Sequence, residues 1–169
     1  MSGTFVTEKE GCAVAAAGQA MREAEFAIFH HYAKPLVEVE DFELEAYSIA
    51  MAVGESQSWA ESGILGYSVL AELPKLRALQ EATRRLDVRR LSAIESTLNR
   101  LNDLATPDIL ADMDEYLVKV FTPKRVGAEL PSPSSLRRRL RERIQRIDSD
   151  LAPNQKKIKE RKKEQDMPF

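Results

Sequence analysis

The sequence predicts an all-α fold: a single irregular multi-helix domain with a helix-turn-helix-like unit and a basic C-terminal helix. Three observations predict it. Apolar residues recur at three-to-four spacing nearly end to end. The 7 Gly and 8 Pro fall largely between those stretches, as punctuation. A chain of 169 residues with 43% hydrophobic and 31% charged residues has the balance of one packed globular domain, which buries roughly 70% of the surface its unfolded form exposes. No run approaches the 18 consecutive apolar residues of a membrane span, because Ala13 to Ala17 is broken by Gly18 and Gln19.

Punctuation divides the chain into seven or eight helices. The first is expected over Thr7 to Ala33, with Met21, Ala24, Ile28 and His31 or Tyr32 in phase, weakened at its start by Gly11 and Gly18 and stopped before Pro35. The stretch Val37 to Leu44 alternates like a hairpin, yet its turn pair is Glu40-Asp41, without the Gly a tight hairpin favours. Helix is the better reading: Phe42, Ala46, Ile49 and Val53 share a stripe, and Asp41 can cap it. Gly54 ends that helix, and Ser56 or Ser58 caps the next, which carries Trp59, Ile64, Tyr67, Val69 and Leu70 up to Pro74. Gly63 and Gly66 lie inside it, where each costs about 1 kcal/mol relative to Ala, so a closely approaching neighbour helix is expected there.

A short helix follows around Leu76 to Arg84. Asp87 can cap a helix whose seam is Leu91, Ile94, Leu98 and Leu101, and Thr106-Pro107 is a cap followed by proline at the first helical position of a helix through Val120. Loops are expected at Thr122 to Gly127 and Pro131 to Ser135. The last pattern, Leu136, Leu140, Ile144 and Ile147, is the apolar stripe of an amphipathic helix. The helical domain is expected over 1–152, and 153–169 as a charged tail, a frayed helix or disordered.

The net charge of −2 hides an asymmetry. Pro35 to Pro74 contains no Lys or Arg against eight carboxylates, Glu38, Glu40, Asp41, Glu43, Glu45, Glu55, Glu61 and Glu72. Ser132 to Phe169 carries 12 basic and 6 acidic residues. Such opposite blocks pair within one molecule, between copies, or with separate partners; the commonest fate of a charge run is a solvated face.

Enzymatic chemistry finds little to work with. His30 and His31 lack a cysteine or carboxylate at ligand spacing, so no metal is expected there. Cys12 has only small neighbours and no partner base, and as the single cysteine it makes no internal disulfide. With no positively charged lead-in before Glu8, Lys9 and Glu10, the expected compartment is the cytoplasm. The acidic clusters at 38–45 and at Asp112, Asp114 and Glu115 have no Glu-x-x-His companion. Gly63-Ile64-Leu65-Gly66 has the wrong spacing for a phosphate loop. No catalytic residue, metal, cofactor or small-molecule substrate is therefore assigned.

Two elements could bind a macromolecule. Ile49 to Ile64 reads as a helix-turn-helix in which Ala50, four before Gly54, allows a close crossing and Ile49, Val53 and Ile64 pack between the helices. Its second helix would expose Gln57, Ser58, Glu61 and Ser62, and its carboxylates repel phosphates, so packing is the stronger reading. The better nucleic-acid candidate is the helix from Leu136 to Asp148. There Arg137, Arg138, Arg139, Arg141, Arg143 and Arg146 surround the apolar stripe, helped by Arg84, Arg85, Arg89 and Arg90, and by backbone donors at Ser134 and Ser135. No aromatic residue is interleaved, which argues against a single-strand stacking platform. The plain alternative is arginine stems covering the core edge with their heads in water.

The order of features from Phe42 to Pro153 resembles the bacterial domain of unknown function 222 family, the 13E12-repeat proteins. The residues that carry the resemblance are Phe42 with Ile49-Ala50-x-Ala52-x-Gly54-x-Ser56, Ala60, Leu73-Pro74, Leu86-Asp87, Leu104-Ala105-Thr106-Pro107, Leu136-Arg137-Arg138-Arg139-Leu140 and Asp150-Leu151-Ala152-Pro153. In that family the helical region stands in front of an HNH nuclease domain, whose chemistry uses a His general base and a His metal ligand. This chain has no histidine after His31 and no strand pair after Leu136. The resemblance therefore implies a non-catalytic role beside a nuclease: positioning DNA through the six arginines, regulating the nuclease, or assembling subunits. The other expectation is an interaction or self-association module in which the acidic 35–74 block meets the basic tail of another copy or partner.

Overall fold

Helix starts are set by side chains that accept the first free backbone N–H groups. In the computed structural model, which describes residues 8–33, 41–125 and 128–165, Asp41 accepts from Leu44 N at 3.1 Å, Ser56 from Trp59 N at 3.2 Å, Asp87 from Arg90 N at 2.8 Å and Thr106 from Ile109 N at 3.4 Å. Seven α-helices result among the described residues. They are α1 (Glu8–Phe29), α2 (Phe42–Val53), α3 (Gln57–Ser68), α4 (Pro74–Thr83), α5 (Val88–Leu98), α6 (Pro107–Phe121) and α7 (Pro133–Gln165). Single turns of 3-10 helix follow α1 at His30–Ala33 and α3 at Val69–Ala71, and a longer one follows α5 at Asn99–Leu104. No strand occurs among the described residues, and the all-α class holds. The helical assignment of α7 continues past Pro153 to Gln165. Thr7 and Val37 to Glu40 lie outside the described residues.

α5 is the centre of the packing. α3 covers one side of it and α7 another, while α2 lies on α3 and α4 pairs with α6. The expected seam is fully realised, with Leu91, Ile94, Leu98 and Leu101 all buried. Phe29, at the end of α1, is buried among Trp59, Tyr67 and Tyr32, whose ring centroids lie 5.1, 5.7 and 6.4 Å away.

The two glycines of α3 mark close approaches. A Cβ at Gly63 would stand 2.2 Å from Phe29 Cζ, and one at Gly66 would stand 2.9 Å from Ser92 N and 3.0 Å from Leu91 Cβ. Gly63 receives a buried aromatic ring and Gly66 receives the backbone of α5. Their helix-propensity cost is offset by contact that any larger residue would exclude.

One stripe departs from expectation. Ala46 and Ala50 are buried and Phe42 and Ile49 half-buried, but Val53 is 46% exposed and does not pack between α2 and α3. It occupies the last residue before Gly54, whose left-handed conformation (φ 77°) turns the chain away. Ala50 O accepts from both Gly54 N and Glu55 N, so the turn closes on the small residue expected there.

Two helices are capped from a distance. α4 begins at Pro74 without a local side-chain cap; the buried carboxylate of Asp114 in α6 instead accepts from Lys75 N and Leu76 N, both at 2.8 Å. In addition to Asp87, α5 is met by Glu25 of α1, which accepts from Val88 N at 3.0 Å. The buried Gln80 amide closes the α4–α5 connection, donating to Leu86 O and accepting from Leu86 N while also donating to Tyr67 Oη.

Candidate functional site

α7 is fixed to the body by Leu136 and Leu140, both fully buried, and by half-buried Ile144 and Ile147. Helical spacing distributes its arginines around that stripe. Arg138, Arg139, Arg141 and Arg146 are exposed and Arg137 is half-buried; none of the five makes an ion pair among the described residues. Arg143 differs. Its guanidinium forks onto Asp112 of α6, with Nη2 at 2.7 Å and Nε at 3.1 Å from Oδ2, and lies 4.6 Å from the centroid of Tyr116. That fork fixes α7 against α6 and takes Arg143 out of the free set. The amino end of α7 is occupied too: Ser132 Oγ accepts from Ser135 N, so that backbone donor is already satisfied.

The four helper arginines divide in the same way. Arg84 sits over the Phe26 ring at 3.6 Å and faces Glu23 at 3.4 Å. Arg85 donates to Phe121 O at 2.9 Å. Arg90 donates to Pro131 O at 2.9 Å and pairs with Asp87. These three hold helix ends and loops together, and Arg89 alone of the four is exposed.

Arg89 and Arg137 meet at a cleft that no linear pattern announces. Its volume is about 470 Å³, and it is walled by Ser56, Ser58, Trp59 and Ser62 of the turn and α3, Arg89 and Ser92 of α5, and Arg137 of α7, with Glu55 on its rim. The amino-terminal turns of three helices border it. Ser58 and Ser62 are one helical turn apart on α3, and Arg89 and Ser92 are one turn apart on α5. Only the α3–α5 crossing at Gly66 brings these two short rows together. A neighbouring cleft of about 350 Å³ shares Arg89, Trp59 and Glu55 and adds Arg22, Glu25 and Asp87. Burial raises the carboxyl of Glu25 above its ordinary range, against the lowering effect of the Val88 N–H bond.

On α3, Ser58 and Ser62 look onto this cleft, while Gln57 donates to Glu61 at 3.0 Å, so the helix presents no cation to a phosphate. His30 Nδ1 donates to Phe26 O at 3.0 Å, and its ring stacks on that of Phe26. Cys12 is exposed on α1, and no group of three His, Cys, Asp or Glu side chains able to hold a metal occurs among the described residues. No described helix is long and apolar enough to cross a membrane.

No family model, no curated protein and no solved structure matches the chain. The functional reading therefore rests on the residues and their geometry.

Proposed function

We propose that the chain is a non-catalytic, nucleic-acid-associated helical module that holds DNA phosphates through α7. The role is the one implied by its resemblance to the helical region in front of HNH nuclease domains. One observation carries the reading: Arg137, Arg138, Arg139, Arg141 and Arg146 have no ion-pair partner among the described residues, on a helix whose buried side is pinned by Leu136, Leu140 and the Arg143–Asp112 fork. The pinned helix fixes where their stems begin, and each guanidinium offers a planar set of donors that matches phosphate oxygens. Glu142 sits one turn from both Arg138 and Arg146 and partly offsets them.

The test is fluorescence anisotropy of a labelled duplex across a salt series. Five phosphate contacts give a slope of log affinity against log salt of about −4.5. Changing Arg138, Arg139 and Arg146 together to Glu abolishes binding while helical circular dichroism is unchanged. No binding at low salt, or equal binding by the triple variant, refutes the reading.

A second reading has its own observation. On α2, Leu44, Tyr47 and Met51 form an exposed stripe, 60%, 52% and 67% accessible, within the block that has no cation. As a self-association surface it would meet the basic helix of another copy. Its mass in solution would fall as salt rises, and Met51→Lys, which sets a cation against that basic helix, would leave a monomer at all salt concentrations.

A further inference from the structure

We propose that the cleft between α3, α5 and α7 is an oxyanion site that takes a phosphate group, and that Arg89, Arg137, Ser58, Ser62 and Ser92 are its ligands. This rests on the nucleic-acid reading for the source of the phosphate, and it names residues which that reading by itself does not include.

The donors carry the proposal. Ser58, Ser62 and Ser92 line the cleft, and their hydroxyls have no hydrogen-bond partner among the described residues; Ser62 and Ser92 are half-buried. Several other helical serine hydroxyls return to a carbonyl of their own helix, as Ser48 does to Leu44 O, Ser68 to Leu65 O and Ser149 to Gln145 O. Three hydroxyls, those of Ser58 and Ser62 on α3 and of Ser92 on α5, are thus left to donate into one cleft. Arg137 has no ion pair, and Arg89 faces the cleft from the opposite helix. Two guanidinium groups and three hydroxyl donors around one space suit a ligand with several acceptor oxygens and negative charge. A phosphate has both, and an aliphatic or cationic ligand has neither.

Two carboxylates bear on the site. Glu55 on the rim opposes an anion, and Glu25 in the adjoining cleft shares the field of Arg89. Removing the Glu55 charge should therefore strengthen binding, the opposite of what a stability effect alone would produce.

Trp59 makes the test direct. It is the single tryptophan, half-buried, lining this cleft and set edge-on to Phe29. The full chain is titrated with pyrophosphate and, separately, with an unlabelled duplex, at constant ionic strength, while Trp59 emission is followed.

A saturable change is expected, absent with matched chloride. Its midpoint should rise at least tenfold in Arg89→Ala/Arg137→Ala and severalfold in Ser62→Ala, and fall in Glu55→Gln. A response to the duplex identifies a backbone phosphate as the source, and a response to pyrophosphate alone identifies a free phosphate compound; each supports the site.

No saturable change with either probe overturns the proposal, as does an unchanged midpoint in the double variant at unchanged helicity. Duplex binding by anisotropy that persists with Trp59 silent and Arg89 dispensable overturns the cleft while leaving the α7 reading standing. Loss of duplex binding with the pyrophosphate response intact does the reverse. Arg89 and Glu55 are exposed and Arg137 is half-buried, and none of the three belongs to the buried core.

Discussion

Replacing Gly66 with Ala tests the packing that creates the cleft. The new methyl would lie 2.9 Å from Ser92 N, 3.0 Å from Leu91 Cβ and 3.1 Å from Leu91 C. Comfortable separations are about 3.5 to 4.0 Å, so the two helices must part by at least about half an ångström. α5 has little freedom to retreat, because α7 presses on it through Leu136 and Leu140, both fully buried. Because the obstruction is backbone, which cannot swing aside, the overpacking cost falls in the upper part of its usual range, about 2–3 kcal/mol, and the gain in helix propensity from Gly to Ala returns about 1 kcal/mol. A net loss of about 1–2 kcal/mol follows, which for a chain of this size lowers Tm by roughly 3–7 °C. Thermal unfolding followed by circular dichroism measures it, with Gly11→Ala as the matched control. Nothing lies within 4 Å of a Cβ at Gly11, so that variant gains helix propensity without a clash and does not lose stability. If Gly66→Ala is as stable as the parent, the close approach of α3 and α5 is wrong, and with it the geometry of the cleft.

Two other expectations concern groups that act across the chain. Asp114→Ala strips the acceptors from Lys75 N and Leu76 N, leaving two donors at the start of α4 unpaired; urea unfolding should show a loss of about 2–4 kcal/mol, with Asp114→Asn losing less because it keeps one carbonyl oxygen. Glu25 gives a pH signature. Burial raises its folded-state pKa, so the folded protein holds the proton more tightly than the unfolded chain, and its contribution is present at low pH and lost as pH rises through the raised value. The difference in stability between the parent and Glu25→Gln should therefore change with pH in the window from the ordinary carboxylate pKa upward, and a pH-independent difference would rule out a shifted Glu25.

What could be read in the sequence was what is decided locally. Asp41, Ser56, Asp87 and Thr106 are recognisable because a cap acts on the residue three positions later, and each does so here. The Leu91, Ile94, Leu98 and Leu101 seam follows from helical periodicity, and the expected close neighbour at Gly63 and Gly66 follows from the cost of glycine inside a helix. The rest depends on partners distant in the chain. Asp114 sits in an acidic cluster that looks like any solvated face, yet it caps a helix nearly forty residues away. Arg84, Arg85, Arg90 and Arg143 are indistinguishable in sequence from their free neighbours; only tertiary packing gives them Phe26, Phe121 O, Pro131 O and Asp112. For the same reason the cleft is not legible in the sequence: Arg89 stands out as one of four helper arginines, but Ser58 and Ser62 belong to another helix, and none of the serines carries a charge to draw attention.

The charge asymmetry can now be narrowed. Of the three fates open to an acidic block and a basic helix, pairing within one molecule requires their side chains to meet. Among the described residues the ion pairs are Lys75–Glu115, Arg77–Glu81, Arg84–Glu23, Arg90–Asp87 and Arg143–Asp112, and none of these carboxylates comes from the block between Asp41 and Pro74. The partnered carboxylates of that block bind within it or to a neutral group, as Glu61 does with Gln57 and Glu45 with Tyr32. Among the described residues, then, no arginine of α7 pairs with a carboxylate of 41–74. Two intermolecular fates, a polyanion on α7 and a second copy bridging the two surfaces, both weaken with salt. They differ in what competes: duplex DNA would dissociate a charge-paired oligomer, because it occupies the same arginines, whereas a duplex bound by a monomer leaves the mass of one chain per complex.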